Sequence, residues 1–432
     1  MLQKLYLKIK KSIWLVPAAY SLFAIALAVF ILLLDTKILG NIQDDLPDFL
    51  FIANELAQEI LATITVSLLT MTTFTFSTMM IVLTMYSSQF SPRILPNFMT
   101  DRRSTTVLGV FMGSFVYSLL SLFFMEQNVG DNVISATIAI ILVIVCLAFF
   151  TFFIYHVTTS IQVENLIEKL HGEAVMTIHG YKNNMEKHRF VHVSRDQVTE
   201  KSYPKEITAK ENGYVQMINY KGLLKEAAEN GLIHVPVKQG EFVSEGEILA
   251  IIYRNEGFSD EEDIDEIRDN FAIGSERSAT QDIEYSIHKL MDIALRAVSP
   301  GINDPNTAKE CIYVIGLLLG EISDCTGEKI VSKDDEENWL LVMEGIDFKK
   351  LLYFTFYQLR HYGKEDISIL LSSIEALIIA AHSSPEGNRR ILWEFHHYII
   401  DEEEILKLKE LDRTYLQRQI AKLKSVCEDG FQ

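Results

Sequence analysis

Two groups of residues in this 432-residue chain have types and spacing that could do chemistry. The first is a run of hydroxyls. Between Ile60 and Ser91, thirteen of 32 residues are Ser or Thr, interleaved with Met, Phe and Leu. Helical steps of three and four trace one face through Thr63, Ser67, Thr70, Phe74, Ser77, Ile81, Thr84 and Ser88, and six of those eight positions carry a hydroxyl. Such a face can line a water-filled path in an oligomer. It can equally let helices approach closely while each hydroxyl bonds back to its own helix. The second group gathers near one corner: Arg277, Gln281, Asp292, Arg296, Asn303 and Asp304. Ala279–Val298 has helical period, with Gln281, Glu284, His288, Asp292, Arg296 and Ser299 on a polar stripe, and Asp292 and Arg296 spaced as an i, i+4 ion pair. Pro300 and Gly301 stop that helix, Asn303 or Asp304 can cap the next, and Pro305 fits its first turn. Capping accounts for Asp304 and Pro305. For the set as a whole, a ligand or subunit contact and a buried polar network that fixes a helix corner both remain open.

Other chemistry finds no foothold. The phosphate-cradling GxxxxGK[ST], the dinucleotide GxGxxG, the GxSxG elbow and the zinc-binding HExxH are all absent. Four cysteines, at 146, 311, 325 and 427, are too few and scattered for a disulfide framework or a zinc site. His396 and His397 point about 100° apart on a helix and are poorly placed to chelate one ion. The acidic run Asp260–Asp269 fails as a Ca²⁺ loop, since its sixth position is Asp265 rather than Gly, and reads as a solvated linker or helix start. The expectation is therefore a protein that is not an enzyme, with no metal and no cofactor.

The elements that must carry these residues divide sharply. Eight Lys/Arg and nine Asp/Glu up to Ser160 leave 31 basic and 49 acidic residues for the other 272, a formal charge near −18 on the second part. That acidity argues against a nucleic-acid partner. In the first part, Ile13–Leu34, Ile60–Ser88, Val107–Met125 and Val133–Val157 contain no Asp, Glu, Lys or Arg and are long enough to span a bilayer. The first has no cleavage site of a signal peptide. Lys4, Lys8, Lys10 and Lys11 precede the first span, and Arg93, Arg102 and Arg103 separate the second and third. The other two loops carry Asp44, Asp45 and Asp48, and Glu126 and Asp131, so both termini should be cytoplasmic. The uncharged stretch around the second span covers about 33 residues, roughly 50 Å of helix, and must tilt, bend or project beyond the bilayer. Gly109 and Gly113 in the third span, with Ser114, Ser118 and Ser121 near the same face, suit close packing within or between subunits. The fourth span reads as lipid-facing, with His156 at its cytoplasmic end.

After Val157, helical period continues through Ile161, Leu166, Ile167 and Leu170. Short β-type runs then follow at Ile207–Ala209, Gly213–Asn219, Gly231–Val237 and Glu247–Ile252, with a helix-like insert at Leu223–Glu229. The stretch VKQGEFVSEGEILAIIY resembles the half-motif of biotinyl/lipoyl-type β-domains, which also occur in membrane-fusion adaptor proteins. The Met-flanked Lys of those carriers is absent, so no covalent cofactor follows. Beyond it, Ile312–Leu319, Leu340–Leu359, Ile367–Ala381 and Arg390–Lys422 read as amphipathic helices. The expected fold is a mainly α membrane protein: a four-helix transmembrane domain (1–160), a helical extension and connector (161–204), a small barrel-sandwich-like β-domain (205–255) and a helical cytoplasmic domain (256–432).

Three segments, SSQFSPRILPNFMTDR, GYVQMIN and QDIEYSIHKLMDIALRAVSPGINDPNTA, together resemble the bacterial predicted-membrane-protein family designated domain of unknown function 2254. Family members usually have Arg-Thr two and three residues after the Gly; here Gly274 is followed by SERSATQD, with Arg277 and Ser278. The resemblance implies a multi-pass protein of the bacterial plasma membrane and brings no activity, substrate or catalytic residue. The residues themselves lead to two expectations. One is an oligomeric, channel-like or transport-related protein with a cytoplasmic gating or sensing domain, lined by Thr63, Ser67, Thr70, Ser77, Thr84 and Ser88, whose partners are the lipid bilayer, further copies of itself and an ion or small ligand. The other is a membrane-anchored scaffold or sensor that binds a partner or small ligand through the Arg277–Asp304 corner.

Overall fold

The structure, a computed structural model, describes residues 14–38, 47, 50–94, 101–125, 132–193, 203–254, 262–334 and 338–428. Lys4, Lys8, Lys10, Lys11, Asp44, Asp45, Asp48, Glu126, Asp131 and the first residues of the 260–269 acidic run lie outside them. The chain forms two units, Leu2–Asn165 and Leu166–Gln432.

The first unit holds four helices long and apolar enough to cross a membrane: α1 (Leu15–Leu33), α2 (Asn54–Gln89), α3 (Arg102–Met125) and α4 (Ser135–Ser160). Half of α3's apolar stretch is buried within the unit, against 22%, 22% and 17% for α1, α2 and α4, so α3 is the central helix. Its glycines explain how. A Cβ on Gly109 would meet the Tyr20 ring at 2.8 Å, and one on Gly113 would lie 3.1 Å from the Tyr20 carbonyl oxygen. The GxxxG pair therefore packs α3 against α1 inside one protomer. Ser114, Ser118 and Ser121 are buried on α3. Asp35, just past α1, is buried and accepts from the Ile134 and Ser135 amides at 3.0 and 3.4 Å, which places a carboxylate at the start of α4. A short antiparallel pair, β1 (Ile52–Ala53) and β2 (Asn132–Val133), joins the approaches to α2 and α4. At the other ends of the helices, His156 Nε2 on α4 donates to Asp101 at 2.8 Å, just ahead of α3, and the Tyr86 hydroxyl on α2 donates to the Ser160 carbonyl. His156 thus has a structural partner in the sequence that leads into the third span.

In the second unit, α5 (Val163–Lys187) follows α4 after two residues and leads into β3 (Val191–Val193). The expected strands appear as β4 (Tyr203–Thr208), β5 (Gly213–Ile218), β6 (Leu232–Val235) and β8 (Ile248–Arg254), with α6 (Tyr220–Asn230) as the helical insert and a short β7 (Phe242–Val243). No closed barrel forms among the described residues. Strands β10 (Lys329–Lys333) and β11 (Trp339–Glu344) extend the sheet instead, in the order β3-β10-β11-β6-β8-β4, with β6 and β11 parallel and every other pair antiparallel. A second sheet, β7-β5-β9, adds β9 (Phe271–Gly274) after the short α7 (Glu262–Arg268). The beginning of the expected Leu340–Leu359 helix is therefore strand: the apolar run WLLVME is paired on both sides, by β10 and β6. Ile207, Val215, Leu223, Ile233, Leu249, Ile330 and Leu341 share one core between sheets and α6.

Seven more helices complete the unit: α8 (Ile283–Ala297), α9 (Pro305–Ile322), α10 (Phe348–Gly363), α11 (Ile367–Ser383), α12 (Glu386–Ile399), α13 (Glu402–Lys407) and α14 (Glu410–Glu428). The expected Arg390–Lys422 helix is broken into three, with an Asp401–Glu404 capping box restarting the chain at α13. His396 is buried, its Nδ1 against the Trp393 carbonyl, and no cluster of metal-ligating side chains occurs among the described residues.

Candidate functional site

The α2 hydroxyls and the polar corner meet different fates. Helix α2 has 36 residues, about 54 Å at 1.5 Å per residue. It buries Leu61, Leu68, Met79, Val82 and Tyr86 against the unit. Thr63, Ser67, Thr70, Ser77, Thr84 and Ser88 are all exposed on the protomer, with Phe74 and Ile81 between them. Four of the hydroxyls donate to the carbonyl four residues back, at 2.8–2.9 Å, and Ser88 donates to Met85 O at 3.0 Å. Five of the six protons are thus spent on the helix, so what those five hydroxyls offer outward is oxygen lone pairs.

The corner does not come together as one site. Arg277 and Gln281 lie at the start of α8, whereas Asn303 and Asp304 lie past its end, and the 15 residues of α8 span about 22 Å. Asp292 is half-buried and Arg296 exposed along the helix between them. At the far end, Asn303 adopts a left-handed conformation (φ +51°) that lets the Asp304 amide reach back to Ala297 O at 2.8 Å. Asp304 then caps α9, accepting from the Thr307 amide at 3.2 Å and its hydroxyl at 2.6 Å. The Thr307 hydroxyl, with the Thr307 and Asn306 amides, holds its carboxyl below the usual value. Replacing Asp304 with Ala should cost about 1 kcal/mol of unfolding stability, the usual value of such a cap, and leave assembly in the membrane unchanged.

The start of α8 is a polar junction. Gln281 treats the end of β5 as a neighbouring strand would: its Oε1 accepts from Ile218 N at 2.9 Å and its Nε2 donates to Ile218 O at 3.3 Å. Arg277 grips the neighbouring Asp282 with two bonds of 2.8 and 2.9 Å while its guanidinium stands 5.2 Å over the Tyr285 ring. Asp282 also caps α8 through Tyr285 N at 2.8 Å. Burial pushes the Asp282 carboxyl up to about 6, against the downward pull of Arg277 and the Tyr285 amide. Lys289, about two turns on from Asp282, is buried beside Glu173 of α5 at 3.5 Å, and burial lowers its ammonium from the ordinary range.

A small pocket of about 50 Å³ opens beside this junction. Its walls include Tyr181 of α5, Tyr220, Lys238 and Gln239, residues 281–284, and residues 344–346 after β11, with Ile218, Val237, Ile330, Met343 and Leu351 completing the lining. Glu344 accepts from Lys329 at 2.6 Å, and His234 Nε2 lies 3.0 Å from the same ammonium. The His234 imidazole and the Lys329 ammonium hold the Glu344 carboxyl down at about 2. Sequence reasoning passed over Asp282, although it stands one residue before Ile283, where a helix cap belongs; it lies off the polar stripe. Tyr181, Lys238, Lys329 and Glu344 arrive from four distant segments, and no local pattern links them.

The fold and this geometry define a membrane protein with four helices long and apolar enough to cross a bilayer and a mixed α/β C-terminal unit. The chain belongs to the predicted membrane protein family DUF2254, whose model matches residues 10–378. It is 24% identical over 346 residues to Uncharacterized protein Mb1321c of Mycobacterium bovis and to Uncharacterized protein Rv1290c of Mycobacterium tuberculosis. Each alignment covers 78% of this chain and 66% of the relative, so the chain spans just under two thirds of those relatives' length. No solved structure matches the chain.

Proposed function

We propose that the protein is an oligomeric, channel-like protein of the plasma membrane. In this reading the hydroxyl face of α2 from each copy lines a cation path, and the C-terminal unit, cytoplasmic like both termini, gates or senses. One observation carries it: all six hydroxyls of the stripe from Thr63 to Ser88 are exposed on the protomer. Against lipid alone, six hydroxyls on one exposed line gain nothing over leucine. Around a lumen they supply the oxygen acceptors that replace part of a cation's hydration, and with five of the six protons committed to the helix they offer an anion little. Val66, Leu69, Phe76 and Met80, exposed on the adjoining face of α2, suit lipid or a neighbouring copy.

Single cysteines test this directly, because all four native thiols are buried. Cysteine at positions 63, 67, 70, 77, 84 and 88 should react with a small, membrane-impermeant thiol reagent, and cysteine at 66, 69, 76 and 80 should not. Thr70→Trp or Ser77→Trp should abolish ion flux in reconstituted vesicles. Two cysteine sets that react alike, or flux untouched by either Trp, would remove the lumen. A sensor reading of the C-terminal unit is favoured by the pocket beside Asp282, and it is compatible with the first, since a gated path requires a stimulus.

A further inference from the structure

We propose that the pocket between α5, the Gly240 turn and the start of α8 binds a compact monocarboxylate with a short alkyl chain. The inference concerns only the C-terminal unit and stands whether or not α2 lines a path. Its basis is a mismatch between donors and acceptors around the opening. Both carboxylates deepest in ion pairs are already neutralised: Asp282 by Arg277 at 2.7 Å and Glu344 by Lys329 at 2.6 Å. Lys238 has no ion pair within 4 Å among the described residues: its ammonium bonds the neutral Gly345 carbonyl at 2.6 Å, and its charge reaches Glu344 only at longer range. The Tyr181 hydroxyl is buried and makes no hydrogen bond among the described residues. A buried donor without an acceptor is rare in a folded protein, and here it lines a pocket. The Tyr220 hydroxyl accepts from Gln239 Nε2, which leaves its own proton to donate.

The lining therefore offers two phenolic O–H groups beside an ammonium that lacks a short ion pair, an arrangement that asks for an anionic acceptor. The remaining carboxylate, Glu284, stands in the first turn of α8, where the positive end of the helix meets its charge. A monocarboxylate fits better than a phosphate for two reasons. Lys238 is the one cation among the lining residues, which suits a single charge, and about 50 Å³ holds only a small group. Val237, Ile218 and Leu351 in the same lining suit a short alkyl chain rather than a second polar end.

The test uses the purified full-length protein in detergent, with thermal unfolding followed in sodium propionate, in sodium chloride of equal ionic strength and in propylammonium chloride. Propionate should raise the unfolding temperature above that in chloride. Tyr181→Phe and Lys238→Met should each lose that shift. Without propionate, Tyr181→Phe should melt at or above the wild type, because the orphaned donor has gone. The proposal is overturned by a propionate shift no larger than chloride's, by a shift that either variant retains in full, or by a larger shift with propylammonium. A Tyr181→Phe protein that melts below the wild type would overturn it as well, by showing that the hydroxyl already has a partner.

Discussion

Arg277→Ala is expected to destabilise the C-terminal unit by about 3–5 kcal/mol, because it strands a buried charge. The Asp282 side chain is 2% exposed, and Arg277 is its counter-ion. Relaxation is blocked on the facing side. Gly240, in a left-handed conformation (φ +82°), presses its backbone so close that a Cβ there would lie 1.9 Å from Asp282 Oδ2. Asp282→Asn should be milder, since it removes the charge and keeps an oxygen for the Tyr285 amide. The pH dependence gives the sign independently. The folded-state pKa of Asp282, about 6, is above its ordinary 3.8. Its contribution to stability is therefore fully present below about 3.8 and lost as pH rises through about 6, a swing of about 3 kcal/mol at 1.36 kcal/mol per unit. Glu344, held at about 2, has the opposite sign: its contribution is present above 4.5 and lost as pH falls through 2. Between pH 4.5 and 7, Asp282 acts without that interference. Burial lowers the pKa of His188, His192 and His396, which oppose the Asp282 trend in the same window. The reading is therefore the difference between wild type and Asp282→Asn. Followed by the fluorescence of Trp339 and Trp393, it should shift in favour of the wild type as pH falls. Arg277→Ala should move that difference to higher pH. An Arg277→Ala protein as stable as the wild type at pH 7 would mean that Asp282 is not charged there.

How far the sequence reveals this molecule depends on the range of the forces that shape each part. The four spans are legible because an apolar segment in a bilayer needs only itself to satisfy its backbone. Even so, α2 begins at Asn54 rather than Ile60. Glu55 and Glu59 are charged, which ends an apolar count, but they do not end a helix. The strands of the 205–255 region are legible as strands, yet their sheet is not, since β6 pairs in parallel with β11, about a hundred residues on. Nothing local marks Trp339–Glu344 as the partner, and an apolar run of that length fits a buried helix equally well. The polar corner shows a further limit. Residues on one stripe share a face, but Gln281 and Asp304 sit at opposite ends of α8, and sequence proximity cannot replace the length of the helix. The Arg277–Asp282 pair was within reach, because both residues are adjacent in sequence to the expected helix start.

The packing of α9 on α11 leads to a prediction in which four glycines differ in sign. Gly316 and Gly320 have GxxxG spacing on α9, in the apolar run GLLLG, and they face Ala376 and Ala380 of α11. A Cβ at Gly316 would lie 2.7 Å from the Ala376 carbonyl oxygen and 2.9 Å from its Cα. Those atoms belong to backbone and cannot rotate aside, so the helices must separate. At Gly320 the nearest atoms, of Ala380 and Ser383, are at 3.3 Å, a contact that a shift of a few tenths of an ångström relieves. On α5, Gly172 and Gly180 have nothing within 4 Å. Replacing a helical Gly with Ala gains up to about 1 kcal/mol through backbone entropy alone. Gly172→Ala and Gly180→Ala should therefore stabilise by about that amount. Gly320→Ala should lie near zero, with the gain and the contact offsetting one another. Gly316→Ala should destabilise by about 1–3 kcal/mol despite its better helix propensity, and Gly316→Leu by more. Urea unfolding of the four alanine variants, compared at equal m-values, reads the order directly. A Gly316→Ala protein stabilised as much as Gly172→Ala would mean that α9 and α11 do not approach backbone to backbone. The close approach matters to the pocket as well, because Leu351 of α10 lines it and α8, α9, α10 and α11 pack as one layer. Gly316→Leu should therefore weaken any propionate stabilisation through misplaced walls, whereas Tyr181→Phe removes it with the layer intact.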